Sequence, residues 1–159
     1  MHSRVAELLK ILELRPHPEG GHYVEVFRSP HRVQVLDRNL ERAALTTIYF
    51  LLVAGEFSRW HRVMSDEIWH YHEGDAIELL LFDDRGMRRL QLGPVASLAR
   101  PAIVVPGGTW QAARTTGAYT LVGCTVGPGF EFADFSLLAD TPDVAARFRA
   151  RHPDLADLI

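Results

Sequence analysis

The sequence predicts an all-β fold, a sandwich or barrel of about ten short strands with a short helix at each end. Three observations predict it. From His22 onward, apolar and polar residues alternate in short runs. Glycines and prolines punctuate those runs at turn-like intervals. Helical spacing belongs to the two ends of the chain.

Val5, Leu8, Leu9 and Leu12 recur at helical spacing behind Ser3, which is expected to act as an N-cap. This predicts a helix over residues 3–14, stopped by Pro16 and Pro18. Gly20-Gly21 then permits a turn into a barrel expected over residues 20–136. Residues 22–28 alternate, with Tyr23, Glu25 and Phe27 on one face and His22, Val24 and Val26 on the other. Residues 45–53 are apolar on both faces, as a strand inside a sandwich core would be. Residues 76–82 and 87–92 flank Asp83-Asp84-Arg85-Gly86, a hairpin turn. Residues 102–105, 109–114, 119–126 and 130–135 read as further strands. Thr141-Pro142 offers an N-cap hydroxyl followed by proline at the first helical position. The helix predicted over 141–151 is expected to dock through Val144 and Phe148, with Leu155 beyond it. No repeat or linker interrupts the chain, so one domain over residues 1–159 is expected.

Composition narrows the function. A chain of 159 residues with 47% hydrophobic residues can bury a sizeable core. Its basic residues are almost all arginine, but they are scattered among 20 acids and give a net charge of −3, so no nucleic-acid partner is expected. Cys124 is the one cysteine, which leaves no intrachain disulfide and no cysteine-based metal site; it reads as a buried core thiol. No apolar run approaches the roughly 18 residues of a membrane span, so no membrane partner is expected. The N-terminus has no signal-like hydrophobic region, and the cytoplasm is the expected compartment.

Residues 55–74 carry the chemistry. Gly55 is followed after five residues by His61, after one by Val63, after three by Glu67 and after six by Gly74. This is the spacing of the first cupin motif, with Val63 where a metal-binding cupin has its second histidine. A partial second motif follows: Pro106-Gly107-Gly108, then Gln111 at the histidine position and Arg100 where a glycine is expected. Reading His70-Tyr71-His72 as the histidine pair fits less well, because Glu78 falls late for the carboxylate.

The chain therefore resembles the cupin superfamily. More closely, it resembles a family of single-domain jelly-roll proteins of undetermined function. The family's marks are Pro-His-Pro-Glu-Gly-Gly (residues 16–21), Ser-Asp-Glu-x-Trp-His-x-His-x-Gly (65–74) and Val-x-Pro-Gly-Phe-Glu-Phe (126–132). The resemblance implies a cupin-type jelly roll, or double-stranded β-helix, with a ligand cavity and commonly a homodimeric assembly. It supplies no reaction.

Of the cupin ligand positions, His61 and Glu67 are present, while Val63 and Gln111 replace the rest. A mononuclear iron or manganese site wants three or more good nitrogen or oxygen ligands. No metal cofactor is therefore expected; the alternative is a divalent transition metal on His61, Glu67 and a further ligand such as His70 or His72. Residues 64–66 form a tight turn, expected to hold His61 and Glu67 on adjacent antiparallel strands facing one cavity. Without a bulge, Glu67, Trp69, Tyr71 and Glu73 share one face of the second strand and His70 and His72 the other; a bulge exchanges them.

The favoured reading is a metal-independent epimerase- or isomerase-like enzyme acting on a sugar or similar small polar metabolite. Metal-free epimerases of this fold pair a histidine with a tyrosine; here His61 or His72 has Tyr49, Tyr71 or Tyr119 available. His61, Glu67 and His72 are the expected catalytic residues. Gln111 is expected to donate to a substrate oxygen, Trp69 and Tyr71 to form a stacking wall with Phe50, and Glu25 and Arg28 to reach the cavity mouth. The alternatives are a non-catalytic ligand-binding cupin and a metal-dependent cupin oxygenase. The bland counterparts are a satisfied core histidine at His61, an ion pair of Glu67 with Arg59, Arg62 or Arg114, surface pairing of Glu25 and Arg28, core packing of Trp69, Tyr71, Trp110, Phe50 and Phe130, and turn roles for His17, His22 and Asp66.

Overall fold

Alternating side chains sort the chain into two facing six-stranded sheets, as seen in a computed structural model that describes residues 3–159. In chain order the elements are α1 (Ser3–Ile11), β1 (Arg15–Pro16), β2 (His22–Arg28), β3 (Arg32–Val35), β4 (Leu40–Ala43), β5 (Thr46–Val53), β6 (Phe57–Val63) and β7 (Asp66–Gly74). There follow β8 (Ile77–Asp83), β9 (Gly86–Leu92), β10 (Ala99–Arg100), β11 (Ala102–Val105), β12 (Trp110–Thr115), β13 (Tyr119–Gly127), β14 (Phe135–Leu137) and α2 (Pro142–Arg151). One sheet has the order β1-β2-β5-β13-β7-β11 and the other β10-β9-β8-β12-β6-β14; β3 and β4 form a separate hairpin. This is the mostly antiparallel jelly roll expected of the sequence.

Both faces of each sheet are covered, which explains the doubly apolar strands. Between the sheets lie Phe50, Leu52, Trp69, Leu79, Leu81 and Val122. On the outer face of the first sheet, α1 packs Val5 and Leu8 on Leu51 and Leu121. On the outer face of the second, α2 and the following 3-10 turn pack Phe148, Leu155 and Leu158 against Trp60 and Leu80. Burying one such large apolar side chain contributes about 1.5–3 kcal/mol.

Several expectations need correction. The first helix ends at Ile11, ahead of the prolines, because Glu13 takes a left-handed φ of 54°. Ser3 lies within that helix, and Thr141 makes no side-chain capping bond to α2. The predicted strand over 130–135 is a loop with a 3-10 turn at Phe132–Asp134, and strand structure starts only at Phe135. Asp134 causes this: buried, it accepts both guanidinium bonds of Arg42 at 2.8 and 2.9 Å and pairs with Arg38 at 2.9 Å. The β3–β4 hairpin was not anticipated, since its polar residues hide the alternation. Finally, β6 and β7 are not paired neighbours. The chain crosses between sheets at residues 64–65, so His61 and Glu67 face each other across the sandwich.

Candidate functional site

A cavity of about 240 Å³ opens at one end of the sandwich. At roughly 30 Å³ per water, that is room for about eight waters, the scale of one small metabolite. Its floor carries Glu19, His61, Glu67 and Cys124. Its walls are Ile48, Phe50, Val63 and Val126, and its mouth is formed by Arg15, Tyr23, Glu25, Arg28 and residues 130–132.

Glu19 reaches the floor because of the turn that follows it. Gly20 has φ 108°, and a Cβ there would stand 2.2 Å from the Phe57 carbonyl oxygen, so only glycine lets this turn lie against β6. The Arg59 amide then donates to the Glu19 carbonyl at 2.8 Å, and the Arg59 guanidinium to the Pro18 carbonyl at 2.6 Å. The Glu19 side chain is pinned inside: Ser58 Oγ donates to Oε1 at 2.8 Å, and His61 Nε2 lies 3.2 Å from Oε2.

This last contact requires a proton. His61 Nδ1 is 2.7 Å from the Arg59 carbonyl, which can only accept, so Nδ1 carries a hydrogen. One further proton must therefore sit between Nε2 and Oε2. Burial decides its place, because it penalises both charged forms. It pushes Glu19 up to about 8 and lowers His61, so near neutrality Glu19 is a carboxylic acid donating to a neutral imidazole.

Glu67 lies opposite. Burial pushes it up to about 7, with the Glu19 carboxyl adding to the rise and His61 opposing it. Gln111 Nε2 donates to Oε2 at 2.6 Å, the Cys124 thiol also donates to it, and Trp69 Nε1 holds the Gln111 oxygen at 3.0 Å. His17, beside Glu19, is lowered to about 4 by burial and then by His61, and its Nδ1 accepts the Glu19 amide at 3.2 Å. The floor thus holds two carboxyls that titrate near neutrality around one histidine, an arrangement suited to giving and taking protons.

The anticipated residues divide. His61, Glu67, Phe50, Glu25 and Arg28 line the cavity. A bulge at Val26 turns Arg28 inward and leaves Phe27 exposed, against the plain alternation expected. Gln111 is behind the floor, its amide engaged with Glu67 and Trp69. Trp69 and Tyr71 do not wall the cavity. At about 3.3 Å per residue, β7 carries them away from the end where Glu67 sits. Trp69 packs on Phe50 with centroids 5.9 Å apart, and Tyr71 donates to the Gly74 carbonyl at 2.6 Å. A second bulge, at His72, breaks the β7–β13 register. His72 lies over Gly123 beside Tyr49, on the outer face of the sheet and outside the cavity. None of the three arginines considered for Glu67 pairs with it: Arg59 binds Pro18, Arg62 stacks on Trp110 at 4.7 Å, and Arg114 pairs with Glu78 at 2.6 Å. Asp66 does cap a turn, accepting from the Gly107 amide at 2.8 Å. His17 takes the turn role expected of it, bonding Gly20, Gly21 and the Glu19 amide, and lines the cavity as well; Glu19 and Arg15 were not anticipated, and the one signal was a glutamate set directly before Gly20-Gly21.

Metal ligation does not fit this floor. Val63 offers no donor, both groups of Gln111 are engaged, and His61 Nε2 is turned to Glu19. Among the described residues, no three His, Cys, Asp or Glu side chains are grouped to hold a metal ion. Nor is any helix among them long and apolar enough to cross a membrane.

Comparison with known proteins agrees with the architecture. The family described as Cupin superfamily (DUF985) matches residues 6–138. A hypothetical protein from Leishmania major is 33% identical with a TM-score of 0.81, covering 97% of this chain and 95% of that one. A protein from Shewanella oneidensis is 32% identical with a TM-score of 0.83, covering 96% and 94%. A cupin 2 conserved barrel domain protein from Rhodopseudomonas palustris, 20% identical with a TM-score of 0.59, covers 91% and 84% and shares the fold. No curated protein matches.

Proposed function

This chain belongs to the cupin superfamily, in the family described as DUF985, and on that premise we propose that it is a metal-independent proton-transfer enzyme acting on one small polar metabolite. The observation that carries the reading is the floor itself, where buried Glu19 and Glu67 flank buried His61. Carboxyls pushed up to about 8 and about 7 are one proton donor and one proton acceptor at neutral pH.

In this reading Glu67 is the base. Ionised, it takes a proton from a substrate carbon next to a carbonyl. Glu19 is the acid and delivers its Oε2 proton to the developing oxyanion or to the opposite face of the carbon. His61 accepts the Glu19 hydrogen bond and stabilises Glu19 when it ionises. Delivered to the opposite face of the carbon, the Glu19 proton completes an epimerisation, and exchange with water resets the pair; delivered to the oxyanion, it gives an enediol, which Glu67 reprotonates at the adjoining carbon while Glu19 takes back a hydroxyl proton, an isomerisation. Sugars and related hydroxy-carbonyl compounds have the matching chemistry.

The test is deuterium incorporation, followed by proton NMR in heavy water, across a panel of small aldoses, ketoses and keto acids. Wild-type protein is expected to wash deuterium into at least one compound at a carbon next to its carbonyl. Glu67→Gln, Glu19→Gln and His61→Asn are each expected to slow that exchange about 100-fold or more while circular dichroism stays native. Saturable binding with no exchange anywhere in the panel reduces the protein to a binding cupin. A stoichiometric transition metal in the untagged protein removes the metal-independent assignment.

A further inference from the structure

We propose that Arg15 is the anchor for an oxyanion on the ligand of this cavity, so that the ligand is a small carboxylate or phosphate ester with its charged end at the mouth. The proposal rests on the proton-transfer reading only for which end of the ligand points inward.

Two cations face the cavity, and they are not equivalent. Arg28 is engaged: Nε and NH2 donate to Glu25 at 3.0 and 2.9 Å, NH1 to Glu131 at 3.0 Å, and NH2 also to the Phe130 carbonyl at 3.0 Å. Four of its five N–H groups are taken and two carboxylates more than offset its charge, so it is a poor partner for an incoming anion. Arg15 makes no ion pair among the described residues. Its guanidinium lies over the Tyr23 ring, 5.4 Å from the centroid, and β1 holds it there by pairing Arg15 with Tyr23. The ring holds the guanidinium by a cation–π contact that uses none of its N–H donors, which remain available for carboxylate or phosphate, the groups arginine binds through two parallel bonds.

The rest of the cavity agrees in charge and in shape. Near neutrality Glu19 is a neutral acid and His17 a neutral imidazole, so neither repels an anion, and Glu67, which titrates at about 7, lies on the floor away from the mouth. Arg15, Arg28, Glu25 and Glu131 balance two against two at the mouth, and the positive half that is not tied up is Arg15. Between mouth and floor lie Ile48 and Phe50, which suit a short carbon skeleton. An oxyanion on Arg15 therefore directs the other end of the ligand towards His61 and Glu67.

Calorimetric titration of the full chain tests this with two charged probes and their neutral analogues: lactate against lactamide, and glycerol 3-phosphate against glycerol. At least one charged probe is expected to bind saturably to wild-type protein and more tightly than its analogue. The charged probe that binds says whether the ligand is a carboxylate or a phosphate. Arg15→Ala is expected to weaken it about 10- to 100-fold, the usual effect of losing a charge-assisted bond. Arg15→Lys should recover part of the loss, and the neutral analogues should bind both proteins alike. His61→Asn should still bind the charged probe, so failure of the catalytic reading leaves the anchor standing. No saturable binding of either charged probe to wild type, or equal affinity in Arg15→Ala, overturns the proposal.

Discussion

Gln111 stands where a metal-binding cupin has its last histidine, and its amide fixes the state of Glu67. Its nitrogen donates to Glu67 at 2.6 Å and its oxygen accepts from Trp69 at 3.0 Å, with all three side chains buried. Leucine at this position would strand two buried partners, each costing about 1–3 kcal/mol. It would also remove a bond that favours the ionised carboxylate, so the Glu67 titration should move upward from about 7. Gln111→Leu is accordingly expected to unfold at lower urea, with a loss of about 2–4 kcal/mol, and carbon NMR of the glutamate carboxyls should show one midpoint raised. An unmoved midpoint would separate Gln111 from Glu67. At this scale the sequence was half legible. The motif spacing located His61 and Glu67 because the jelly roll repeats that spacing. It said nothing of Glu19, whose place depends on a turn well upstream folding back onto β6.

The Pro16–Gly21 turn shows how one element sets a proton position. Gly20 and Gly21 both have positive φ, and a Cβ on Gly20 would overlap the Phe57 carbonyl at 2.2 Å. Gly20→Ala must move the turn off β6, which breaks the amide bond from Arg59 to Glu19 and draws the carboxyl out of the floor. The expected cost is about 2–4 kcal/mol of stability, from strain and overpacking together. The proton-transfer activity should fall with it, and thermal melting beside the deuterium assay checks both. Full activity in a Gly20→Ala protein would mean that Glu19 needs no such placement. Most strands and α2 could be read from alternation and helical spacing. The two bulges could not, because a single extra residue at Val26 or at His72 leaves the composition of the strand unchanged while reversing which residues face inward. The bulge at Val26 brings Arg28 to the cavity, and the one at His72 turns Glu73 out to Arg4 of α1.

The floor also gives the whole molecule a pH signature. Glu19 and Glu67 bind their protons more tightly folded, at about 8 and about 7, than at their ordinary value of 4.5. Between 4.5 and those values the folded chain holds protons that the unfolded chain has lost, so stability declines as the pH rises. His17, His61 and His72 act in the other direction: lowered from 6.5 chiefly by burial, His17 to about 4, they make the folded chain lose stability as the pH falls through 6.5. Glu73, held down at about 2 chiefly by its bonds from Arg4, titrates far below either range. Above pH 6.5 the contribution of these histidines fades within about one pH unit, and the floor carboxyls outweigh it. The melting temperature is therefore expected to fall from pH 6.5 to pH 8, corresponding to roughly 1 kcal/mol once the opposing histidines are set against the carboxyls, at about 1.4 kcal/mol per pH unit for each proton. Glu19→Gln keeps the size of the side chain but carries no titrating proton, so its melting curve should be much flatter over that interval, with Glu67→Gln removing the smaller part that ends near pH 7. Differential scanning calorimetry at fixed ionic strength measures both slopes. A wild-type melting temperature that does not change from pH 6.5 to 8, or a Glu19→Gln protein with the wild-type slope, would mean that Glu19 is ionised in the folded chain, and the acid assigned to the floor would have to be another group.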